Sequence, residues 1–358
     1  MASISFASYS SYYKGVLQFV DSWLYGPFFK HWSSPPPVLP SPSVTAPAEM
    51  ATGYSTLMLP DGAKLAYEVL GSYYLGSAEP IVLICGMTSI RTDYERLTRA
   101  LIKTRPVLIY DHRGMGNSSL TPSGEEDMTI ELLARDLLFL LAHLKWKEVS
   151  LCGYSMGGVI TQQLLLLPHH PTAPTSLPFT VTHILLAGTR SVVQPSAGLK
   201  LPVSAANKPR TLAERRENAR RIVASLLDPR WVEENGQRFE YLFNRATNNL
   251  TQRPTEVITR QGSALQKFKF DDLLHNFPRD VQIMVIHGHL DQVIPYHCGE
   301  DILKRIPWAQ RPETGNQPGQ IPSFDFGHYW YEYFDVQVWH HVVDQFLGKR
   351  SVCIREYN

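Results

Sequence analysis

The sequence predicts an α/β protein in which helices cover both faces of an open, mostly parallel sheet. Short apolar runs of strand length, such as PIVLIC and PVLIYD, alternate with segments of helical periodicity, such as TDYERLTRALIK. This alternation is typical of parallel sheets, because each crossover between parallel strands needs a long connection, usually a helix. The 358 residues, 44% of them hydrophobic, are enough for one large core.

Two elements near the start of this region can be predicted in detail. The segment STLMLPDGAKLAYEVL reads as a hairpin that turns at Asp61 and Gly62. Further on, Thr129 can cap a long helix through ELLARDLLFLLAHLKW, whose Leu and Ala residues recur every three or four positions. Because Arg135 and Asp136 interrupt its apolar residues, we expect this helix to cover the core and not to cross a membrane.

The segment VSLCGYSMGG joins a predicted strand directly to a predicted helix. Such a tight turn forces its central residue, Ser155, into strained backbone angles. Gly153 and Gly157 fit this structural elbow, because a β-carbon at either position would meet neighbouring chain. The turn places the Ser155 hydroxyl at a helix N-terminus, where backbone N–H groups can stabilise an oxyanion. We therefore predict Ser155 as a nucleophile.

A serine nucleophile needs a base to take its proton and a carboxylate to orient that base. Asp291 lies just past the apolar strand in VQIMVIHGHLDQVIP and is the predicted acid. Asp271 and Asp272 precede that strand, at its wrong end, and we expect them to cap a connecting helix. His328 follows a glycine and precedes a final amphipathic helix, so it is the predicted base.

The other histidines and the cysteines give only weak signals for a metal. His340 and His341 lie within the predicted final helix, and His287 and His289 bracket a glycine without a third zinc ligand at matching spacing. The cysteines are scattered without CxxC spacing, at Cys85, Cys152, Cys298 and Cys353. We expect no metal, no cofactor and no disulfide framework.

The chain order Ser155, Asp291, His328, together with GYSMGG, LICGMTS and YDHRGMGNSS, resembles the α/β-hydrolase superfamily of serine hydrolases over roughly residues 54 to 347. The resemblance implies the α/β-hydrolase fold. It also implies that the DxRGxGxS turn is mainly structural, at Asp111, Arg113, Gly114, Gly116 and Ser118.

The same resemblance implies an oxyanion hole built from two backbone N–H groups. One follows the third strand, at Met87, and the other follows the nucleophile, at Met156. Family members commonly carry His-Gly at the third-strand turn, where this chain has Cys85 and Gly86. That difference changes a side chain and leaves the backbone donor in place.

We predict three regions: an aromatic segment with a Pro/Ser-rich linker at residues 1–50, the hydrolase core at residues 51–189 and 278–350, and a helical lid at residues 190–277, inserted after the sixth strand. RTLAERRENARRIVASLL, RWVEENGQRFEYLF and TEVITRQGSALQKF are the predicted lid helices, and Asp228 with Pro229 opens the second. The lid has fifteen Lys or Arg against nine Asp or Glu. We favour solvated helix faces for this excess; attraction of an anionic substrate is the alternative.

Composition and charge narrow the partners and the location. A net charge of +1 without blocks of like charge argues against a nucleic-acid partner. The N-terminus lacks the basic and apolar regions of a secretory signal, so we expect a reducing, cytoplasmic location. The aromatic segment YYKGVLQFVDSWLYGPFFKHW favours a short packed helix, with peripheral membrane contact as the alternative. The oligomeric state is left open.

These residues predict an acyl-serine mechanism in which His328 later activates water. The leading hypothesis is a serine esterase, lipase-like, acting on a small to medium apolar ester. Epoxide hydrolases and haloalkane dehalogenases resemble this architecture but attack with aspartate. The alternatives are an acyltransferase, a thioesterase or a C–C hydrolase on the same triad, with secondary metabolism as one setting. A non-catalytic ligand receptor on the hydrolase scaffold is a further alternative, although it has less need of all three groups.

Overall fold

The computed structural model of the chain describes residues 53–193, 211–248 and 250–348. Its strands are β1 (Ser55–Met58), β2 (Lys64–Leu70), β3 (Ile81–Ile84), β4 (Val107–Tyr110), β5 (Glu148–Tyr154), β6 (Thr180–Ala187) and β7 (Gln282–Ile286). They form one sheet in the order β1, β2, β4, β3, β5, β6, β7. The pairs β1–β2 and β2–β4 are antiparallel, and the other pairs are parallel. The predicted mostly parallel sheet is confirmed.

The α-helices of the described residues lie between or after these strands. They are α1 (Glu95–Leu101), α2 (Ile130–Leu144), α3 (Met156–Leu166), α4 (Leu212–Ser225), α5 (Pro229–Glu234), α6 (Gly236–Asn248), α7 (Thr255–Lys267), α8 (His297–Arg305) and α9 (Val336–Leu347). Short 3-10 helices lie at Ser72–Tyr74, Arg91–Tyr94, Leu167–His169, Leu250–Gln252, Asp271–Asn276 and Trp330–Glu332.

The core lies on both faces of the sheet. Successive side chains of a strand point to opposite faces, and all residues of β3 and β4 are buried. Val82 and Ile84 pack in one apolar cluster with residues of α2 and α3. Ile81 and Leu83 pack in a second cluster with residues of α1 and α9. Helices on both faces explain why these strands are uniformly apolar.

The structure confirms some of the local predictions and corrects others. The hairpin pairs β1 with β2, and the Thr129 side chain accepts a hydrogen bond from Leu132 N at 3.0 Å at the start of α2. The prediction of a single helix over RWVEENGQRFEYLF is wrong. The backbone leaves helical angles at Asn235, just before a glycine, and this break separates α5 from α6. Asp271 and Asp272 are not helix caps, because both lie within the 3-10 helix whose N-cap is Phe270.

Several predictions fall on chain outside the described residues. The aromatic N-terminal segment, its linker and Cys353 belong to this group. In the part of the chain that the structure describes, no helix combines the length and the apolar character needed to cross a bilayer.

The turn after β4 is held by a buried arginine. Arg113 is 1% exposed, and its guanidinium donates to both carboxylate oxygens of Asp136 in α2, at 2.6 and 2.9 Å. It also contacts Asp61 of the β1–β2 hairpin at 2.5 Å. A charge buried so deeply needs such partners, because an unpaired one would strongly destabilise the fold. The contacts fit a structural role for this turn.

The elbow between β5 and α3 combines strain with close packing. Ser155 has φ 55° and ψ −118°, a backbone conformation that non-glycine residues rarely adopt. A β-carbon at Gly157 would lie 2.0 Å from the Ile84 carbonyl oxygen, and one at Gly153 would lie 2.4 Å from Thr161 Oγ1. Backbone from β3 therefore fills the space that a side chain at Gly157 would need.

We expect Gly157→Ala to unfold the protein or to lower its free energy of unfolding by about 3 kcal/mol or more, because the added methyl group would overlap main-chain atoms. Gly236→Ala is the matched control. No atom lies within 4 Å of a β-carbon built at that position, so its free energy of unfolding should stay within about 1 kcal/mol of the parent. Chemical denaturation followed by circular dichroism measures both. Equal stabilities of the two variants would contradict this reading of the elbow.

Candidate active site

The predicted acid and base form a buried pair. His328 Nδ1 lies 2.7 Å from Asp291 Oδ2, and the two residues are 2% and 7% exposed. Asp291 follows β7, and His328 lies in the loop before α9. The other carboxylate oxygen of Asp291 accepts backbone N–H bonds from Val293 at 2.9 Å and Ile294 at 2.8 Å. These bonds leave Oδ2 directed at the imidazole.

A second histidine contacts the same carboxylate. His287 Nε2 lies 2.9 Å from the Ile294 carbonyl oxygen and 3.3 Å from Asp291 Oδ2. Since the carbonyl can only accept, this nitrogen carries the proton and donates. From the sequence, His287 is a candidate only for a weak zinc site, and its contact with Asp291 is not predicted. The spacing of four residues between His287 and Asp291 in HGHLD was the available signal.

The surroundings hold the Asp291 side chain in its charged form. Burial alone would raise the pKa of Asp291, but interaction with the His328 charge and hydrogen bonds from His287 and His328 outweigh it. The pKa of Asp291 is therefore well below its usual range. A carboxylate that stays ionised can hold the His328 imidazole with its Nδ1 protonated and its Nε2 available to accept a proton.

The structure brings the elbow close to this pair. The ring of Tyr154, the residue before Ser155, lies 4.9 Å from the His328 ring, centroid to centroid. A β-carbon at Gly188, just after β6, would lie 3.1 Å from His328 Nδ1, which shows how closely that backbone approaches the pair. Among the described residues, the Ser155 hydroxyl makes no hydrogen bond to His328. Such contacts are often long before substrate binds.

The two predicted oxyanion donors flank Ser155. Met156 is the first residue of α3, and the first N–H groups of a helix have no acceptor within it. Met87 lies in the turn after β3, and its N–H donates to none of the described residues. A β-carbon at Gly86 would lie 3.2 Å from Ser155 Cβ, so this turn packs against the elbow. The arrangement can hold a negatively charged oxygen above Ser155.

Residues from the segment between β6 and β7 support the turn at Met87. Thr88 has φ 69°, and its N–H donates to Gln261 Oε1 of α7 at 3.2 Å. Arg253 donates to the Thr88 carbonyl oxygen and to both carboxylate oxygens of Asp93, at 2.9 Å each. The sequence analysis missed Gln261 and Arg253. Their partners lie 160 residues or more away in the chain, beyond the reach of any local pattern.

A cavity of about 110 Å³ adjoins this turn. Thr88, which follows Met87, and Tyr329, which follows His328, both line it. Helices α4, α6 and α7 supply most of the remaining wall, including Ile222, Leu242 and Ile258. The cavity therefore adjoins the neighbours of the predicted base, His328, and of one predicted oxyanion donor, Met87.

The other candidates from the sequence take different positions. His289 is exposed and lies 3.4 Å from Asp325, and His340 lies within α9, 3.2 Å from Asp344. The Cys85 thiol is buried beside the Tyr110 carbonyl oxygen. These residues have partners of their own, away from the Asp291–His328 pair.

The lowered pKa of Asp291 predicts a pH-dependent contribution to stability. A carboxylate with a depressed pKa in the folded state stabilises the fold above its unfolded pKa, near 3.9, and loses that contribution as the pH falls further. The difference in free energy of unfolding between the parent and Asp291→Asn should therefore shrink by about 2 kcal/mol or more on going from about pH 6 toward pH 2. Denaturant titrations across this range measure it.

Asp325→Asn is the matched control, because the Asp325 side chain is 68% exposed. The difference in free energy of unfolding between Asp325→Asn and the parent should change little with pH. A pH-independent difference for Asp291→Asn would show that Asp291 is not held ionised in the folded protein.

Comparison with known proteins places this geometry in a family. The alpha/beta hydrolase fold family matches residues 79–325, more than half of the chain. A proline iminopeptidase of Lactobacillus acidophilus is 29% identical over 118 residues, or 32% of this chain and 39% of that protein. The match thus spans well under two thirds of that relative's length.

Solved structures match over more of the chain. The enol-lactonase from Burkholderia xenovorans LB400 has a TM-score of 0.63 at 20% identity, covering 82% of this chain and 100% of that one. An esterase from Exiguobacterium antarcticum has a TM-score of 0.61 at 19% identity, covering 82% and 99%. At these identities the likeness is one of fold. With the family match over residues 79–325, it shows that the chain belongs to the α/β-hydrolase fold family.

Proposed function

We propose that the chain is a serine hydrolase that cleaves a carboxylic ester of a small, largely apolar substrate through an acyl-Ser155 intermediate. The observation that carries the proposal is the 2.7 Å bond between His328 and the ionised Asp291, next to a serine in a strained elbow. Buried ionisable groups held in this way are typical of catalytic sites. Strain at a single serine between a strand and a helix supports the same role.

The proposed reaction has two halves. The Ser155 oxygen attacks the ester carbonyl carbon while His328 Nε2 takes its proton, and the negative charge on the carbonyl oxygen is held by the N–H groups of Met87 and Met156. The tetrahedral species then collapses: the ester C–O bond breaks, and the alcohol leaves with the proton from His328. In the second half, water gives a proton to His328 Nε2 and attacks the acyl carbon. The bond between that carbon and the Ser155 oxygen then breaks, the acid is released, and His328 returns the proton to the Ser155 oxygen.

Asp291 acts on the imidazole in both halves. Its carboxylate accepts a hydrogen bond from the Nδ1–H of His328. It also stabilises the imidazolium that forms when His328 takes a proton from Ser155 or water. It does not itself become protonated. His287 donates to the same oxygen and so helps to keep Asp291 charged and correctly turned.

Ester cleavage is favoured among the reactions that this machinery supports. Two of the compared structures are, by their names, an esterase and an enol-lactonase. An acyltransferase, a thioesterase or a C–C hydrolase would use the same three residues, and a substrate panel separates them. A non-catalytic receptor is disfavoured, because binding alone has no need of the Asp291–His328 bond.

The helices between β6 and β7 are proposed to act as the lid that selects the substrate. Their apolar residues line a cavity of about 110 Å³. An apolar cavity of about 150 Å³ is known to hold benzene, so this one suits a group of about five or six carbon atoms. The substrate is thus at the small end of the range expected from the sequence.

Ser155→Ala should lower ester turnover by several powers of ten while leaving the fold intact, because it removes the nucleophile but keeps both elbow glycines. A fluorophosphonate should label the parent at Ser155 and should not label the variant. Ser123→Ala, at an exposed serine, is the control and should behave as the parent. Labelling of Ser155→Ala at the parental rate would assign the nucleophile elsewhere.

Acyl-chain preference tests the size of the cavity. Each buried methylene contributes about 0.8 kcal/mol, so kcat/KM for p-nitrophenyl esters should rise about fourfold per carbon and stop rising near about six carbons. Ile258→Ala should move this limit to longer chains, because it removes part of a wall side chain and so enlarges the cavity. If kcat/KM of the parent protein instead rose steadily up to the decanoyl ester, the acyl chain would bind somewhere other than this cavity.

A further inference from the structure

Most arginines of residues 190–277 that the structure describes are paired with carboxylates, four of them within the segment itself. Seven of the arginines described in this segment form ion pairs with carboxylates: Arg220 with Glu240 at 2.5 Å, Arg221 with Glu217 at 3.1 Å, Arg230 with Glu234 at 2.8 Å, Arg238 with Glu332 at 2.8 Å, Arg245 with Glu95 at 3.3 Å, Arg253 with Asp93 at 2.9 Å, and Arg260 with Glu256 at 2.5 Å. Such pairs fit the prediction that most basic residues of this segment lie on solvated helix faces. They also make the arginines that lack such a partner informative.

Arg215 of α4 differs from these surface pairs. It lines the 110 Å³ cavity, and its guanidinium donates to the Leu250 carbonyl oxygen at 3.1 Å. Among the described residues, no carboxylate lies within 4.0 Å of it. A guanidinium has five N–H donors, so one carbonyl leaves most of its hydrogen-bonding capacity for another acceptor.

The remaining charges around the cavity do not cancel Arg215. Asp93 is the carboxylate in the cavity wall, and Arg253 binds both of its oxygens at 2.9 Å. Arg245 also lines the cavity, 3.3 Å from Glu95 and 3.7 Å from Asp93. Three arginines of the cavity wall thus stand against one carboxylate of the wall, Asp93, and Glu95 beside it is shared with Arg99 at 2.7 Å. The wall therefore has an excess of positive charge, which a negatively charged group on a ligand would offset.

The rest of the cavity wall specifies what would carry that charge. Ile222, Val223, Leu226 and Ile258 give the same cavity an apolar surface. Thr88 and Tyr329, which follow Met87 and His328 in the chain, also line it. A ligand that fits both parts has a short hydrocarbon chain with a carboxylate at its far end. Arginine suits such an end group, because its planar fork matches a carboxylate in geometry and charge.

We infer that the substrate is an ester whose acyl part is a short dicarboxylic acid, with the free carboxylate bound by Arg215. This inference rests on the proposed function for its reactive end, and it replaces the largely apolar acyl group of that proposal with one that ends in a carboxylate. The cavity volume limits the acid to about five or six carbons. Binding of the free carboxylate positions the ester carbonyl toward Ser155 and adds no chemical step.

The competing explanation is that Arg215 is one more solvated arginine. Arg216 offers the matched control, because it is the next residue of the same helix and also lacks a carboxylate within 4.0 Å among the described residues. Its guanidinium lies over the Phe243 ring at 5.5 Å, and it does not line the cavity. Neutralising either arginine changes the net charge by the same amount. A difference between the two variants in their preference for a carboxylate would therefore indicate a direct contact between Arg215 and the ligand.

Binding to the full-length Ser155→Ala chain tests the inference without requiring turnover. Calorimetry would compare monomethyl glutarate with the methyl ester of glutaramic acid, in which a neutral amide replaces the carboxylate. We expect the carboxylate to bind about ten- to a hundredfold more tightly. Adding Arg215→Gln should bring this ratio close to one, whereas adding Arg216→Gln should leave it unchanged. For the chain that carries Ser155→Ala alone, the ratio of the two affinities should fall as the salt concentration is raised.

Kinetics on the chain with an intact Ser155 then separates this inference from the proposed function. Mono-p-nitrophenyl glutarate should exceed the matching amide ester in kcat/KM, mainly through a lower KM. Turnover of both esters at equal efficiency, with equal binding, would overturn the inference and leave the serine hydrolase standing. An equal loss of preference in Arg215→Gln and Arg216→Gln would also overturn it. Absence of turnover and of fluorophosphonate labelling, with selective carboxylate binding retained, would instead overturn the hydrolase.

Discussion

The close approach of the elbow to strand β3 is the constraint on which the rest of the site depends. Ser155 is held at φ 55°, and the chain can turn there because Gly157 lets the helix start against the Ile84 carbonyl. That contact sets the position of the Ser155 hydroxyl, of the Met156 N–H and of the turn that carries Met87. Strain of this kind persists only where the surrounding structure over-determines it, and here buried parallel strands on either side of β5 do so.

The acid and base are assembled around that elbow from separate parts of the chain. Asp291 comes from the end of β7 and His328 from the loop before α9, and the backbone at Gly188 after β6 passes close to both. In an open parallel sheet the carboxyl ends of the strands share one edge, so polar groups at these ends meet without any local signal. Four donors then hold the Asp291 carboxylate: two backbone N–H groups and two histidines.

The helices between β6 and β7 are coupled to this machinery by polar contacts as well as by packing. Gln261 accepts from the N–H of Thr88, and Arg253 links Thr88 to Asp93. The same helices line the cavity, so residues of the cavity wall and residues that support the turn bearing the Met87 N–H belong to the same elements. Under the proposed function, this coupling is a physical reason to expect that substitutions in these helices change turnover as well as substrate preference.

The sequence by itself determined the sheet class, the helix starts at Thr129 and Asp228, and the three residues Ser155, Asp291 and His328 as candidates, because these follow from local periodicity, caps, turn chemistry and chain order. Tertiary structure alone decided what surrounds them. The second donor His287, the bracing residues Gln261 and Arg253, and the different settings of Arg215 and Arg216 depend on segments far apart in the chain. Adjacent residues of one helix carry identical local signals, and only the packing of that helix determines which of them faces the cavity.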